Sequence, residues 1–183
     1  MNWADDLLAA GLLQFGVFGE EAAPVKLSLE MLPAYPDVLA SIAASAAEIA
    51  RQQQPDRLVC TAAALPLGVA VSLHADIPLV YSRGSDGPGV HDLVGAYDVG
   101  HPALLLTDAW PDPSAQLLIE RAQQVGLDID TVIAVIGVRP SPLPEIAVHT
   151  LLDLGALARE MAADGRLPVG QAHAVAEWIA RTG

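Results

Sequence analysis

The middle of the chain alternates short apolar runs with helix-like segments, and this alternation constrains the fold more than any other feature. The runs at 57–61, 78–82, 103–107 and 130–138 predict strands. The segments at 65–75 and 114–125 predict the helices between them. Such an order is typical of a mostly parallel sheet that is covered by helices on both faces. The sequence therefore predicts an α/β fold.

The flanking sequence predicts the remaining elements. These are helices at 4–14, 36–53, 153–163 and 169–181, and strands at 25–31 and 146–150. In the strand at 25–31, apolar and polar residues alternate strictly. With 183 residues and no internal repeat, we expect one domain that spans 1–183.

Composition narrows the range of partners. A formal net charge of −13 repels nucleic acid, acidic membranes and polyphosphates unless a metal or a local basic pocket intervenes. No apolar run approaches the roughly 18 residues of a membrane span, and the first residues lack the basic start of a signal peptide. We therefore expect a cytoplasmic protein that binds neither nucleic acid nor membrane.

Candidate metal ligands and nucleophiles are sparse. The five histidines show no metal-binding spacing with one another or with Cys60, so we expect no metal site formed by the chain itself. Cys60 is the only cysteine and lies in an apolar run. A small buried side chain is its simplest interpretation.

The segment 103–116 resembles a phosphate-binding strand-loop-helix unit that lacks its phosphate-binding parts. Ligands of open α/β sheets bind at such a loop, where the helix N-terminus attracts anions. A phosphate there needs glycines for close approach and free backbone N–H groups. This loop has no glycine, Pro111 and Pro113 have no N–H, and Asp112 occupies the helix cap. We predict a loop that is closed to anions.

Several segments carry a resemblance to a known family. They are Gly11-Leu-Leu-Gln-Phe-Gly-Val-Phe, Tyr35-Pro-Asp-Val-Leu, Thr61-Ala-Ala-Ala-Leu-Pro-Leu-Gly-Val-Ala-Val-Ser-Leu, Ile77-Pro-Leu-Val-Tyr-Ser-Arg and 103–115. In this order they resemble the orotate phosphoribosyltransferases, type I phosphoribosyltransferases of pyrimidine synthesis. The resemblance covers nearly the whole chain. It implies a mostly parallel central sheet flanked by helices, a small N-terminal hood, two C-terminal helices and a homodimer.

Enzymes of that family transfer the ribose phosphate of phosphoribosyl pyrophosphate (PRPP) to a base, with Mg²⁺. The resemblance implies two adjacent acids and a glycine-rich turn at the PRPP motif. Here Thr107 and Asp108 take the positions of the acids, and Pro111-Asp112-Pro113-Ser114 takes the turn. Asp112 would place a carboxylate where the phosphate should lie. An ordinary Asp-Pro helix cap explains the same residues. The ligand-binding positions carried over are Thr107, Asp108 and Ser114.

Two other family sites are altered. The loop after Arg83 lacks both expected lysines and ends at His91, which either takes the place of the family histidine or is an exposed histidine. The early glycine of the pyrophosphate loop appears as Val59. Arg139 resembles the arginine that contacts the orotate carboxylate. With Arg83 it could bind a planar anion, and a surface salt bridge is the alternative.

Three hypotheses follow. The first is a relative that has lost PRPP-dependent catalysis, binds a small anionic base or nucleotide through Arg139 and Arg83, and needs no cofactor. The second is an active phosphoribosyltransferase with an altered donor site, in which Asp108, Arg83 and His91 are catalytic and Mg²⁺ accompanies PRPP. The third is a dimeric interaction protein in which Trp110 anchors a partner, although simple packing is the default interpretation of Trp110.

Overall fold

The structure is a computed structural model that describes residues 3–19, 22–84, 92–138 and 143–181. Its strands are β1 (Leu13–Phe18), β2 (Ala23–Leu27), β3 (Arg57–Cys60), β4 (Leu79–Ser82), β5 (Leu93–Val94), β6 (Pro102–Trp110), β7 (Asp128–Gly137) and β8 (Ala147–Asp153). Its helices are α1 (Trp3–Ala9), α2 (Pro36–Gln53), α3 (Leu65–Ala75), α4 (Pro113–Gln124), α5 (Leu154–Ala163) and α6 (Val169–Arg181).

The main sheet has six strands in the order β5-β4-β3-β6-β7-β8. Every neighbouring pair is parallel except β4 with β5, which is antiparallel. This confirms the predicted α/β fold with a mostly parallel sheet. Because β3, β4, β6, β7 and β8 run in one direction, their carboxyl ends share one edge of the sheet. Ligands of such sheets bind at that edge.

Both faces of the sheet are buried, which explains why the strands read as continuous apolar runs. Successive residues of β3 belong to different cores: Leu58 and Cys60 pack on one face, and Val59 packs on the other. The first core contains buried residues of α1, α2, α3, α5 and α6, and the second contains those of α4. The sheet is thus covered on both faces.

The predicted helix at 4–14 is too long. Helix α1 ends at Ala9, Gly11 has a positive φ of 69°, and Leu13 already begins β1. Strand β1 pairs antiparallel with β2, with Leu13 opposite Leu27. Glycine adopts a positive φ without strain, so the chain reverses at Gly11 and the apolar residues after it enter a strand. This hairpin and α1 form the predicted N-terminal hood, and α6 packs against β2.

The strand predicted at 25–31 is displaced toward the N-terminus. Strand β2 covers Ala23–Leu27, and Leu29–Ala34 forms a 3-10 helix that contains Pro33. Met31 is 52% exposed although the alternation placed it on the buried face. The helices predicted at 36–53, 65–75 and 169–181 have the observed bounds. The other predicted helices and strands differ from those observed by a few residues at their ends.

The predicted end of the strand at 103–107 is also wrong, because β6 continues to Trp110. The extra residues pair with β7, with Ala109 opposite Ile136 and Trp110 opposite Gly137. Backbone hydrogen bonds to β7, which is ten residues long, therefore extend β6 beyond its most apolar part. None of the described helices is long and apolar enough to cross a membrane.

Helix α3 approaches the sheet closely at Gly68. A Cβ atom built on Gly68 would lie 2.7 Å from Sγ and 3.1 Å from Cβ of Cys60 in β3. A glycine in a helix interior is unfavourable by itself, so close packing explains its use here. This contact fixes the position of α3 relative to β3, and the segment between them contributes to the carboxyl edge of the sheet.

We expect Gly68→Ala to lower the free energy of unfolding by about 1–3 kcal/mol, because the added methyl overpacks the α3–β3 contact. Adding Cys60→Ala should recover part of the loss. The control is Gly170→Ala in α6, where a Cβ meets nothing within 4 Å and stability should stay level or rise by up to about 1 kcal/mol. Urea unfolding measures all three. Equal effects of Gly68→Ala and Gly170→Ala would contradict the packing argument.

Candidate functional site

A cavity of about 350 Å³ lies at the carboxyl edge of the sheet. It is formed by the segment after β3, the end of β4 and the first turns of α4. Its lining includes Thr61, Ser82, Gly84, Ser114, Leu117 and Arg121. The volume is at the lower end of the range of small-molecule sites, which is about 300–1,000 Å³. Position and size both make this cavity the first candidate site.

The N-terminus of α4 is capped from within the protein. Asp112 is the cap residue, and its Oδ2 accepts a hydrogen bond from the Ala115 backbone N–H at 3.1 Å. The Ser114 hydroxyl donates to the same carboxylate. Pro113, the first helical residue, has no N–H to offer. A negative charge therefore already occupies the position that is electrostatically favourable for an anion. The predicted Asp-Pro cap is present.

Thr107 and Asp108 lie within β6 rather than in the loop. Thr107 is fully buried, and its Oγ1 donates to Oδ1 of Asp108 at 3.2 Å. Burial raises the pKa of the Asp108 carboxyl, and the negative charge of Asp112 adds to this effect. Hydrogen bonds from the backbone N–H groups of Asp108 and Ala109 and from Thr107 oppose it. A carboxylate that is costly to ionise is a recognised property of functional sites.

A buried polar network that the sequence did not predict borders the cavity. Arg121 of α4 places Nη1 3.3 Å from Oδ2 of Asp92, and these side chains are only 9% and 2% exposed. The hydroxyl of Ser82 donates to the same Asp92 oxygen. The Ser82 hydroxyl also accepts from the Gly84 N–H at 3.0 Å. The network links α4 to the end of β4 and to the residue before β5.

One sequence signal could have revealed this network. Arg121 shares the buried face of α4 with Leu118, Ile119 and Ala122, so a charged residue interrupts an apolar helical stripe. Buried arginines are almost always paired. The pattern predicts that a carboxylate lies opposite Arg121, but it does not identify Asp92, which is 29 residues away in the chain.

Trp110 is not available as a surface anchor. It is the last residue of β6, is 0% exposed, and packs in the core beneath α4. It does not line the 350 Å³ cavity either. Its indole Nε1 is buried without a hydrogen-bond partner among the described residues. Core packing, the default interpretation of Trp110, is therefore what the structure shows in place of a surface anchor, because the extension of β6 carries the residue inward.

The remaining predicted residues are dispersed or outside the described part. The Arg83 side chain is exposed, and its backbone N–H donates to the Asp92 carbonyl at 3.0 Å. His91 and Arg139 lie outside the described residues. Within the described ranges, no three His, Cys, Asp or Glu side chains are grouped to hold a metal ion. Burial raises the pKa of the Cys60 thiol to about 12, which makes Cys60 a poor nucleophile.

A larger cavity, of about 580 Å³, lies between the ends of β7 and β8 and the helices α5 and α6. Its wall is mainly apolar and includes Val138, Val175 and Ile179. Asp153 lies on the wall, but its side chain caps α5 by accepting from the Ala156 N–H at 2.7 Å. Arg159 provides a positive charge at the rim. None of the polar lining side chains is buried, in contrast to Thr61, Ser82 and Arg121 of the smaller cavity.

We expect Asp108→Asn to stabilise the protein at pH 7. Because the folded-state pKa of Asp108 is raised, ionisation of its carboxyl disfavours the folded state, and this penalty disappears as pH falls below the unfolded value of about 4. The gain in melting temperature should therefore shrink as pH falls from 7 toward 4. Asp128→Asn, at the exposed start of β7, is the control. A gain in melting temperature of the same size at all pH values would contradict the raised pKa of Asp108 as its cause.

We expect Arg121→Met to lower the free energy of unfolding by about 3–5 kcal/mol, because the buried Asp92 carboxylate loses its guanidinium partner. Adding Asp92→Asn should recover much of that loss. Glu177→Gln, which alters an exposed side-chain contact of 3.2 Å with His173, should cost less than about 1 kcal/mol. Urea unfolding compares the variants. An Arg121→Met effect no larger than that of Glu177→Gln would refute a structural role for the buried pair.

No protein-family model and no curated protein sequence matches this chain. Solved structures do match. UMP synthase of Leishmania donovani superposes with a TM-score of 0.82 at 20% identity, over 98% of this chain and 42% of that chain. This chain thus spans less than half of that protein.

Two orotate phosphoribosyltransferases are also similar. That of Francisella tularensis has a TM-score of 0.68 at 17% identity and is matched over 99% of this chain and 98% of its own. That of Mycobacterium tuberculosis in complex with PRPP has a TM-score of 0.58 at 20% identity, over 72% of this chain and 82% of its own. Identities this low establish the architecture alone. The chain therefore has the type I phosphoribosyltransferase fold, with a mostly parallel six-stranded sheet flanked by helices.

Proposed function

We propose that this protein is an orotate-phosphoribosyltransferase-like protein that no longer uses PRPP and instead binds a small molecule at the carboxyl edge of its sheet. The observation that carries the proposal is the Asp112 carboxylate at the N-terminus of α4. A similar structure is known with PRPP bound, so the fold is compatible with that ligand. The altered residues are what exclude PRPP here.

Electrostatics supports this proposal. PRPP carries one phosphate and one diphosphate, and a phosphate at the start of α4 would meet the like charge of Asp112. The protein as a whole carries a net charge of −13, which further disfavours a polyanion. The only lysine in the sequence, Lys26, lies on the exposed side of β2. The buried Arg121 already forms an ion pair with Asp92.

The metal that accompanies PRPP in the family also fits poorly. Mg²⁺ prefers ionised carboxylate oxygens. Thr107 stands at the first acidic position of the motif, and its hydroxyl is buried and hydrogen-bonded to Asp108. Burial raises the pKa of the Asp108 carboxyl and so disfavours the charged form that Mg²⁺ requires. We derive no catalytic step through Mg²⁺ for this chain.

The cavity at the carboxyl edge supports retained binding. It keeps a volume of about 350 Å³ even though Asp112 occupies the α4 cap. Buried polar groups around a cavity lower stability unless they are satisfied, and natural proteins retain them where they serve a function. The proposed role is therefore recognition of a small ligand without transfer of ribose phosphate.

We expect no orotate-dependent release of pyrophosphate from PRPP above background, in an assay with Mg²⁺ in excess. Titration calorimetry should likewise detect no binding of the Mg²⁺–PRPP complex to the wild-type protein. Clear turnover would refute the proposal and favour an active phosphoribosyltransferase with an altered donor site.

We further expect Asp112→Asn to gain measurable affinity for Mg²⁺–PRPP, because asparagine still caps the helix but removes the charge. The matched control is Asp153→Asn, which neutralises the equivalent cap of α5. It changes net charge equally and should gain nothing. If both variants gain the same affinity, net charge rather than the Asp112 carboxylate excludes PRPP. Calorimetry of the two variants decides between these explanations.

A further inference from the structure

We infer that the 350 Å³ cavity binds an uncharged, hydroxyl-bearing ring, such as an unphosphorylated pentose or a nucleoside. This inference rests on the proposed function and adds the chemical class of the ligand. The cavity is formed by the segment after β3, the end of β4 and the first turns of α4. Four polar side chains on its wall, from Thr61, Ser82, Ser114 and Arg121, determine what can bind.

The two serine hydroxyls offer acceptors rather than donors. Ser82 donates its proton to Asp92, and Ser114 donates its proton to Asp112. A serine oxygen has two lone pairs. One lone pair of Ser82 is used by the Gly84 N–H. The lone pairs that remain on the two serine oxygens can only accept hydrogen bonds, so they match a ligand that donates. Hydroxyl and N–H groups donate, whereas a fully ionised phosphate only accepts.

Thr61 is a third lining hydroxyl, and it can both donate and accept a hydrogen bond. Its side chain is 5% exposed, and Oγ1 has no hydrogen-bond partner among the described residues. Such a buried hydroxyl lowers the stability of the protein if it stays unsatisfied. A ligand hydroxyl can both donate and accept, so a polyol matches the hydrogen-bonding chemistry of Thr61 and of the two serines.

The charges at the wall are already balanced. The Arg121 guanidinium lies 3.3 Å from the Asp92 carboxylate, and both are buried. The Asp112 carboxylate accepts from Ser114 and from the Ala115 N–H. An anionic ligand at the start of α4 would meet the like charge of Asp112, and no carboxylate among the described lining residues is available to pair with a cationic ligand. Leu117 and Leu118 add an apolar surface. A neutral ring with one apolar face matches this combination.

The test is titration calorimetry of the intact protein with uridine, D-ribose, uridine 5′-monophosphate and inorganic phosphate. We expect uridine or D-ribose to bind, uridine 5′-monophosphate to bind at least about tenfold more weakly than uridine, and phosphate not to bind. Equal affinities for D-ribose and uridine would assign the cavity to the sugar alone. Tighter binding of uridine would place the base in contact as well.

Thr61→Val tests the site itself. It removes a buried hydroxyl that has no hydrogen-bond partner among the described residues, so the stability of the ligand-free protein should stay level or rise, while affinity for the bound probe falls about tenfold. Thr131→Val is the matched control, because Thr131 is equally buried at 5% but lies in β7 and does not line the cavity. Its variant should keep full affinity. Asp112→Asn should narrow the difference between uridine and its monophosphate.

Three results would overturn the inference. The first is binding of uridine 5′-monophosphate or phosphate as tight as that of the neutral probes. The second is failure of both neutral probes to bind, and the third is unchanged affinity in Thr61→Val. A different outcome would refute the proposed function, namely release of pyrophosphate in the presence of orotate and PRPP. If the protein shows neither turnover nor binding of uridine or ribose, the proposed loss of PRPP use still holds and only the inferred ligand class is wrong.

Discussion

The hydrogen bond from the Ala115 N–H to the Asp112 carboxylate is the interaction on which the interpretation of this protein depends. It stabilises the start of α4, as an Asp cap does by about 1 kcal/mol in general. The same carboxylate takes the electrostatically favoured place of an anion at that helix N-terminus. One residue thus supports the fold and alters the chemistry of the adjacent edge of the sheet. We propose that the cavity beside it is therefore matched to ligands without phosphate.

The buried network around Asp92 links the elements that form that edge. Asp92 receives hydrogen bonds from Ser82 and Arg121, and its carbonyl accepts from the Arg83 N–H. These contacts join the end of β4, the start of β5 and the middle of α4. The groups that could recognise a ligand are therefore positioned by bonds to one another. The protons of Ser82 and Ser114 and the charge of Arg121 are already used in contacts within the protein, and we propose that this limits what the cavity accepts.

Local sequence patterns predicted the sheet and its helices but not the contacts that complete the site. The runs at 57–61 and 130–138 are apolar because both faces of the sheet are covered, and such runs are readable from composition. The Asp-Pro cap was also predictable from the sequence, because it involves residues that are neighbours in the chain. The extension of β6 to Trp110 was not, because it depends on pairing with β7. The Asp92–Arg121 pair joins residues from distant segments, and no local pattern encodes such a pairing.

The most direct test of the central claim is phosphorus NMR of Mg²⁺–PRPP in the presence of the wild-type protein and of Asp112→Asn. The 5′-phosphate and diphosphate resonances report contact with the protein separately. With wild-type protein we expect both to keep the shifts and linewidths of free PRPP, whereas with Asp112→Asn the 5′-phosphate signal should broaden or shift. Broadening of the 5′-phosphate signal by the wild-type protein would contradict the claim that the Asp112 carboxylate closes this site to phosphate.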